Sequence, residues 1–339
     1  MEYINLNKTE FDKYAKNHAL NSIFQNSSWA NTKSNWKPLY VGVKKDGNII
    51  GGALVLLRRL PLNFTFAYIP RGPLLDYSDE QLCGFFFKNL KKQLLKEKVL
   101  LCKIDPNIVI DEIDFKDKEL ITNIKNDELV NQLKQYGLKH LGYTLLIKDT
   151  IQPRIQLELL TEDYENTIPK KTMKKIRNSY NKGVVIVNEK SNVESLTKMI
   201  EFTKTRHNIN LRNNEYFKNL INSFEEDACV LSAYLQDQLV SSCLLVKSKN
   251  TTEILYSGYD DEYKHCNSTY PLRYEAIKWA KDHGCKYFNF GGVEGTLDDG
   301  LTVFKSSFNP KIKIYIGEFN LYTIPLISNI FELLFKKYK

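Results

Sequence analysis

The sequence predicts an α/β (α+β) chain built of two similar halves in tandem. Three observations carry this. The order helix, hairpin, third strand, helix, short strand occurs twice, at a spacing of roughly 190 residues. Each half has its own hairpin signal, Lys45-Asp46-Gly47-Asn48 in the first and Gln236-Asp237-Gln238 in the second. A chain of 339 residues, 42% hydrophobic and 26% charged, can build two cores.

The first half starts with a helix at residues 9–18. Tyr40–Lys44 and Ile49–Arg58 flank the Asp-Gly turn, and Phe64–Ile69 is a third strand ended by Pro70-Arg71-Gly72-Pro73. Asp79 caps a helix running to about Lys98, with Leu82, Phe85, Phe86 and Leu90 on one face. Val99–Ile104 is a short apolar strand closed by Asp105-Pro106.

In the second half, helices at 193–208 and 214–225 lead to strands Cys229–Leu235 and Leu239–Val246, and Thr252–Tyr259 is the third strand. Pro271 opens a helix to His283, and Lys286–Phe290 is the short strand that meets Gly291. The join falls near 147–160, where Asp149-Thr150-Ile151-Gln152-Pro153-Arg154 breaks the pattern. The expected domains are 1–147 and 148–320, with a helix at 321–339 returning to the first.

Composition narrows the function. A net charge of +8 favours anionic partners such as nucleic acid, phosphates or an anionic membrane face. The six cysteines lie mostly in apolar runs with no Cys-x-x-Cys pair, which reads as a reduced, cytosolic protein. The five histidines lack metal-ligand spacing, so no metal is expected. No signal peptide stands at the N-terminus, and no apolar run approaches the roughly 20 residues that span a bilayer.

Asn289–Pro310 draws attention. Gly291 and Gly292 free the backbone for a tight bend or a close approach to a ligand, and Asp298-Asp299-Gly300 adds a turn. Lys305 then stands between Phe304 and Phe308, a cation placed to serve a developing negative charge. The plainer alternative is a surface loop followed by an ordinary strand. The segment Lys170–Gly183 reads as a basic helix with Lys170, Lys171, Lys174, Lys175, Arg177 and Lys182 and no acid. It is either a solvated face or a phosphate-backbone contact.

The repeated plan is that of the acetyltransferase-like (GNAT) fold, so two tandem GNAT-like domains are expected. Coenzyme A users of that fold place a glycine-rich loop at the N-terminus of the helix after the third strand, where backbone amides hold the pyrophosphate. The equivalent places read Arg71-Gly72-Pro73-Leu74-Leu75-Asp76 and Lys264-His265-Cys266-Asn267-Ser268-Thr269, and neither is that loop. A different acyl donor is implied.

Several pieces then carry a resemblance over nearly the whole chain: Gln25-Asn-Ser-Ser-Trp29-Ala-Asn-Thr-Lys33, Tyr68-Ile-Pro-Arg71-Gly-Pro73, Lys103-Ile-Asp105-Pro106, Pro169–Gly183, Arg206-His207, Arg212–Phe217, and Phe290-Gly-Gly followed by Phe304-Lys305 and Phe308. In this order the chain resembles the FemABX family of aminoacyl-tRNA-dependent transferases that build the interpeptide bridge of peptidoglycan. The span 190–228 is too short for the coiled-coil arm of some members, so the armless FemX-type members are the better match.

The resemblance implies an amino acid (Gly, Ala or Ser) moved from aminoacyl-tRNA to the side-chain amine of residue 3 of the stem peptide. The acceptor is UDP-MurNAc-pentapeptide or lipid II, and no cofactor is needed. It places Lys33, Trp36, Arg212, Tyr216 and Tyr256 at the acceptor, Phe304 and Lys305 nearest the chemistry, and Asp105 where a base has been proposed. The basic helix Lys170, Lys171, Lys174, Lys175 and Arg177 suits the tRNA. Residues 324–339 carry apolar positions at helical spacing and then lysines, either packing on the first domain or touching the inner membrane face. A cytoplasmic monomer is expected. The rival readings are a GNAT-like acyltransferase with a thioester donor and a non-catalytic tRNA- or envelope-binding module.

Overall fold

The computed structural model describes residues 1–207, 212–293 and 297–324, the side chains of Lys148, Arg206 and His207 excepted. The chain forms two compact units. The first comprises Met1–Asp111, Glu119–Arg154 and the described residues from Ile314 to Ile324; the second comprises Glu112–Lys118 and Ile155–Lys313.

The elements in chain order begin with β1 (Glu2–Asn5), α1 (Lys8–Asn17), α2 (Ser27–Asn31), β2 (Lys37–Lys45), β3 (Asn48–Arg59), β4 (Thr65–Pro70), α3 (Glu80–Lys96) and β5 (Val99–Asp105). They continue through β6 (Val109–Asp114), α4 (Asp127–Gln135), β7 (Leu138–His140), β8 (Ile155–Leu160), α5 (Tyr164–Thr167), α6 (Lys170–Asn181) and β9 (Val184–Lys190). Next come α7 (Glu194–His207), α8 (Asn214–Phe224), β10 (Ala228–Leu235), β11 (Gln238–Lys247), β12 (Thr251–Tyr259) and α9 (Thr269–Asp282). The last are β13 (Tyr287–Gly292), α10 (Gly300–Ser306), β14 (Lys311–Tyr315) and β15 (Phe319–Tyr322).

The first unit is built on the sheet β1-β2-β3-β4-β5-β15-β7. Its hairpin turns where expected: Asp46 and Gly47 take φ of 50° and 80°, the positive pair that matches strand twist. The Asp79 carboxylate caps α3 by accepting from the Leu82 N–H at 2.9 Å. Leu82, Cys83, Phe86, Phe87, Leu90 and Leu94 then repeat at helical spacing and join the apolar core over the sheet.

The second unit is built on β6-β14-β8-β13-β12-β11-β10-β9. Gln236 and Asp237, with φ of 48° and 66°, turn the β10–β11 hairpin. The two halves differ at their parallel pair. In the first, β4 and β5 stay paired from Thr65↔Val99 to Pro70↔Asp105, with one register shift between Thr65 and Phe66. In the second, β12 and β13 pair only from Thr251↔Tyr287 to Glu253↔Asn289. Beyond those pairs the two strands diverge and leave a fork.

Two expectations need correction. The stretch after Gly300 is the helix α10, not a strand, because Asp299 accepts from the Leu301 and Thr302 N–H groups and starts a helical turn. The chain at 321 is in β15 rather than in a helix. Phe319 and Leu321 are buried, and the strand is hydrogen-bonded to β5 on one side and β7 on the other. Residues 325–339, the rest of that expected helix, lie outside the described residues. The helices α7 and α8 are ordinary in length, and no coiled-coil arm stands between β9 and β10 among the described residues.

Candidate active site

In the first unit the site residues hang on one glutamine. The β3–β4 ladder ends at Leu56↔Tyr68; continued in the same register, it would pass Val55 and Ile69 and join Leu54 to Pro70. Pro70 has no N–H to give. The buried carboxamide of Gln25 takes the place of a peptide unit there: Oε1 accepts from the Leu54 N–H at 2.8 Å, and Nε2 donates to the carbonyls of Pro70 at 2.7 Å and Leu54 at 3.3 Å. Asn26 next to it caps α2 through the Ser28 N–H. The short helix then presents Trp29, and the Lys33 ammonium lies 3.9 Å from the centre of its ring. Trp36 packs against Phe66 and beneath the Arg58 guanidinium.

Asp105 ends β5 in a buried position, 2% exposed. Its Oδ1 accepts from the Arg71 N–H at 3.0 Å, and its Oδ2 lies 3.9 Å from Arg71 Nε. Burial pushes its pKa up to about 7, with the Arg71 guanidinium pulling the other way. Arg71 has φ of 48°, donates to the Pro153 carbonyl at 2.9 Å and lies over the Tyr315 ring. Beside them Lys103 pairs with Glu318 at 3.3 Å, and Glu318 also accepts from the backbone N–H groups of Ile151 and Gln152. The Asp105 carboxylate therefore holds the Pro70–Pro73 turn in place.

The second unit holds Phe304 and Lys305 at the fork. Gly291 takes φ of 81°, and a Cβ there would stand 3.7 Å from the Ile254 carbonyl and 3.8 Å from the Lys305 ammonium. The ammonium donates to the Gly292 carbonyl at 2.6 Å and is 7% exposed. The helix α10 thus returns its lysine to the point where β12 and β13 part. Phe304 and Phe308 enclose that point with Tyr270, at ring distances of 5.0 and 6.0 Å from it.

Successive side chains of a strand face opposite sides of a sheet, and β12 uses both. The Tyr256 hydroxyl donates to that of Tyr216 at 3.4 Å, and the Arg212 guanidinium lies 4.9 Å from the Tyr216 ring. Arg212, Tyr216 and Tyr256, three of the residues expected at the acceptor, therefore gather on the side of α7 and α8. Ser257 points the other way, toward α9, where its hydroxyl meets Arg273. Phe304, through Tyr270 of α9, belongs to that second side.

The basic helix α6 divides as well. Lys170, Lys171, Lys174 and Arg177 are exposed. Lys175 is half-buried and donates to the Tyr270 hydroxyl at 2.6 Å, so it reaches the aromatic group beside Phe304. Thr172 ties α6 to the end of α10 by donating to the Ser307 carbonyl.

Arg273 was missed by sequence reasoning. It is 5% exposed, donates from Nη2 to the Ser257 hydroxyl at 3.1 Å and lies 5.8 Å from the Phe304 ring. Its Nε and Nη1 have no hydrogen-bond partner. Its signal was an arginine between Leu272 and the apolar positions Ala276, Ile277 and Ala280 of α9. Among the described residues no group of three or more His, Cys, Asp or Glu side chains could hold a metal. No described helix is long and apolar enough to cross a membrane.

The model of the FemAB family matches residues 6–238 and 232–336. Two lipid II:glycine glycyltransferases are similar along most of their length. The one from Staphylococcus haemolyticus is 25% identical, over 94% of this chain and 92% of the relative. The one from Staphylococcus aureus is 21% identical over the same shares. The crystal structure of FemX shares the fold with a TM-score of 0.84 at 22% identity, covering 97% of this chain and 100% of that one. A tandem GNAT protein from the clavulanic acid biosynthesis pathway shares it more loosely, with a TM-score of 0.55 at 8% identity over 95% and 98%. The two halves are GNAT-like domains in tandem.

Proposed function

This chain belongs to the FemAB family, and from that premise we propose that it is an aminoacyltransferase of peptidoglycan bridge formation. The donor is an amino acid esterified to the 3′ end of tRNA. The acceptor is the side-chain amine at residue 3 of the stem peptide, carried on lipid II or on UDP-MurNAc-pentapeptide. Relatives named lipid II:glycine glycyltransferase favour glycine among glycine, alanine and serine.

The observation that carries this reading is the buried ammonium of Lys305 at the fork of β12 and β13, with the Gly292 carbonyl as a partner. The amine nitrogen attacks the ester carbonyl, the C–N bond forms, and the carbonyl oxygen becomes negative. Lys305 stabilises that charge. The C–O bond to the ribose then breaks, and the leaving oxygen takes a proton originating from the amine. An alkylamine has a pKa of about 10.4, so it must shed one proton before attack. Asp105 is engaged with Arg71, which favours a positioning role for it and leaves the proton to the substrates themselves. Holding both reactants together contributes most of the acceleration, about 7–11 kcal/mol in favourable cases.

In this reading Lys33, Trp36, Arg212, Tyr216 and Tyr256 serve the acceptor, and the exposed cations of α6 serve the tRNA. One assay tests it. Purified protein is given the pentapeptide acceptor, free or lipid-linked, with charged tRNA or with acyl-coenzyme A, and product mass is read. Addition of one or more aminoacyl residues from charged tRNA supports the proposal; transfer from the thioester alone, or from neither donor, overturns it. Lys305→Met should lower kcat by about 10²–10³ with acceptor binding intact, as for loss of one oxyanion donor.

A further inference from the structure

We propose that Arg273 binds a phosphate of the donor, an assignment that rests on the nucleic-acid donor proposed above. A guanidinium stays charged at any physiological pH, and a buried charge without a counter-charge is costly. Arg273 is 5% exposed, and the groups it meets are neutral: the Ser257 hydroxyl, the face of the Phe304 ring and the Cys243 thiol. No described carboxylate compensates it. Its Nε–H and Nη1–H are unpartnered, which leaves two charged donors for an oxyanion that arrives with a substrate.

Position selects the class of ligand and the substrate that brings it. Arg273 touches β12, one arm of the fork, and the helix α10 that returns its lysine to the other. Ser257 lies on β12 beyond its last pair with β13, and Phe304 precedes the lysine that returns to Gly292 at the end of β13. The assignment requires an anion held there to lie one ribose from an ester carbonyl facing Lys305, as the 3′-terminal phosphodiester of an aminoacylated RNA does.

Arg273 also shares its side of β12 with the basic helix. Lys175 of α6 is bonded to Tyr270, Tyr270 meets the Phe304 ring at 5.0 Å, and Phe304 meets Arg273. Arg212, Tyr216 and Tyr256 lie on the other side. The phosphate on Arg273 is therefore the donor's and not the acceptor's diphosphate. The half-buried Phe304 ring covers the guanidinium, so the assignment requires that ring to turn aside when the donor enters.

The test uses the full-length protein, saturating acceptor and two aminoacylated RNA minihelices. One has natural phosphodiesters; the other carries an uncharged methylphosphonate at the 3′-terminal linkage. For the wild type, neutralising that linkage should raise the donor KM about 10- to 100-fold, the range for a charge-assisted hydrogen bond. Arg273→Met should raise the natural donor's KM by a similar factor and no longer distinguish the two RNAs. Arg273→Lys should fall between, and acceptor KM should stay constant throughout.

A wild type indifferent to the methylphosphonate overturns the assignment, and this arm decides even if Arg273→Met fails to fold. So does an Arg273→Met protein that loses only kcat while keeping the phosphate preference, which is a packing role. A raised acceptor KM would place the acceptor's diphosphate on Arg273 and overturn the donor assignment. A wild type that transfers from neither RNA sinks the donor reading itself, a separate failure.

Discussion

Replacing Gln25 with leucine should destabilise the first unit through a single backbone defect. The side chains are similar in size, so the change is mainly the loss of a carboxamide. Three hydrogen bonds go with it, from the Leu54 N–H and to the carbonyls of Pro70 and Leu54. Leu54 and Pro70 are buried, so water does not replace them. A stranded buried donor costs about 1–3 kcal/mol, and the two carbonyls, each with a second lone pair, add less. Apolar burial by the leucine offsets part of this, for a net loss of about 2–4 kcal/mol. Urea unfolding should show a lower midpoint, and amide exchange at Leu54 should accelerate relative to its neighbours in β3. Gln25→Glu is the companion. Its ionised carboxylate still accepts from Leu54 but opposes the Pro70 carbonyl, so it should recover stability in acid as it protonates. Gly72→Ala reaches the same amide from the other side, since its Cβ would stand 2.6 Å from Gln25 Cδ. Unchanged Leu54 exchange and a stability loss below about 0.5 kcal/mol in Gln25→Leu would refute the peptide-substitute account.

Three other outcomes follow from the same structure. Asp105 has its folded pKa raised to about 7. Its stabilising contribution is therefore complete below the unfolded value and lost as pH rises through about 7; Asp105→Asn keeps an acceptor for Arg71 and removes that loss, up to about 4 kcal/mol between pH 4 and 7. Parallel stability–pH curves for the two proteins would contradict it. Gly258→Ala should cost about 2–3 kcal/mol, because its Cβ would collide with the Met199 carbonyl, backbone of α7; a melting temperature equal to that of the wild type would show that α7 can retreat. Changing Lys170, Lys171, Lys174 and Arg177 to glutamine should leave the melt unaltered and flatten the salt dependence of donor KM by about 0.7–0.9 log units per lost contact. An unchanged slope would remove α6 from donor binding.

The sequence was most legible where one residue acts on its neighbours. Asp46-Gly47 set a hairpin and Asp79 set a helix start, because those side chains or φ values act locally. It was least legible where partners are far apart. The strand β15 is four residues long and means nothing until β5 and β7 flank it. The helix α10 was hidden because Asp298-Asp299-Gly300 reads equally as a turn, although Asp299 followed by Thr302 is also a capping pair. Tyr216 and Tyr256 could be named from the resemblance, but their contact depends on how α8 packs on β12. Arg273 needed the fork before its isolation had meaning.

The placement of β15 bears on how the protein is made. Its Phe319–Tyr322 ladder lies between β5 and β7, strands translated some two hundred residues earlier. Until residue 322 has left the ribosome, the facing edges of β5 and β7 stay open, and an unpaired edge beside a buried apolar run invites association with other chains. The second unit has no such wait for most of its strands. Nascent chains halted before residue 319 has emerged should therefore depend on a holding chaperone, and full-length chains released from the ribosome should not.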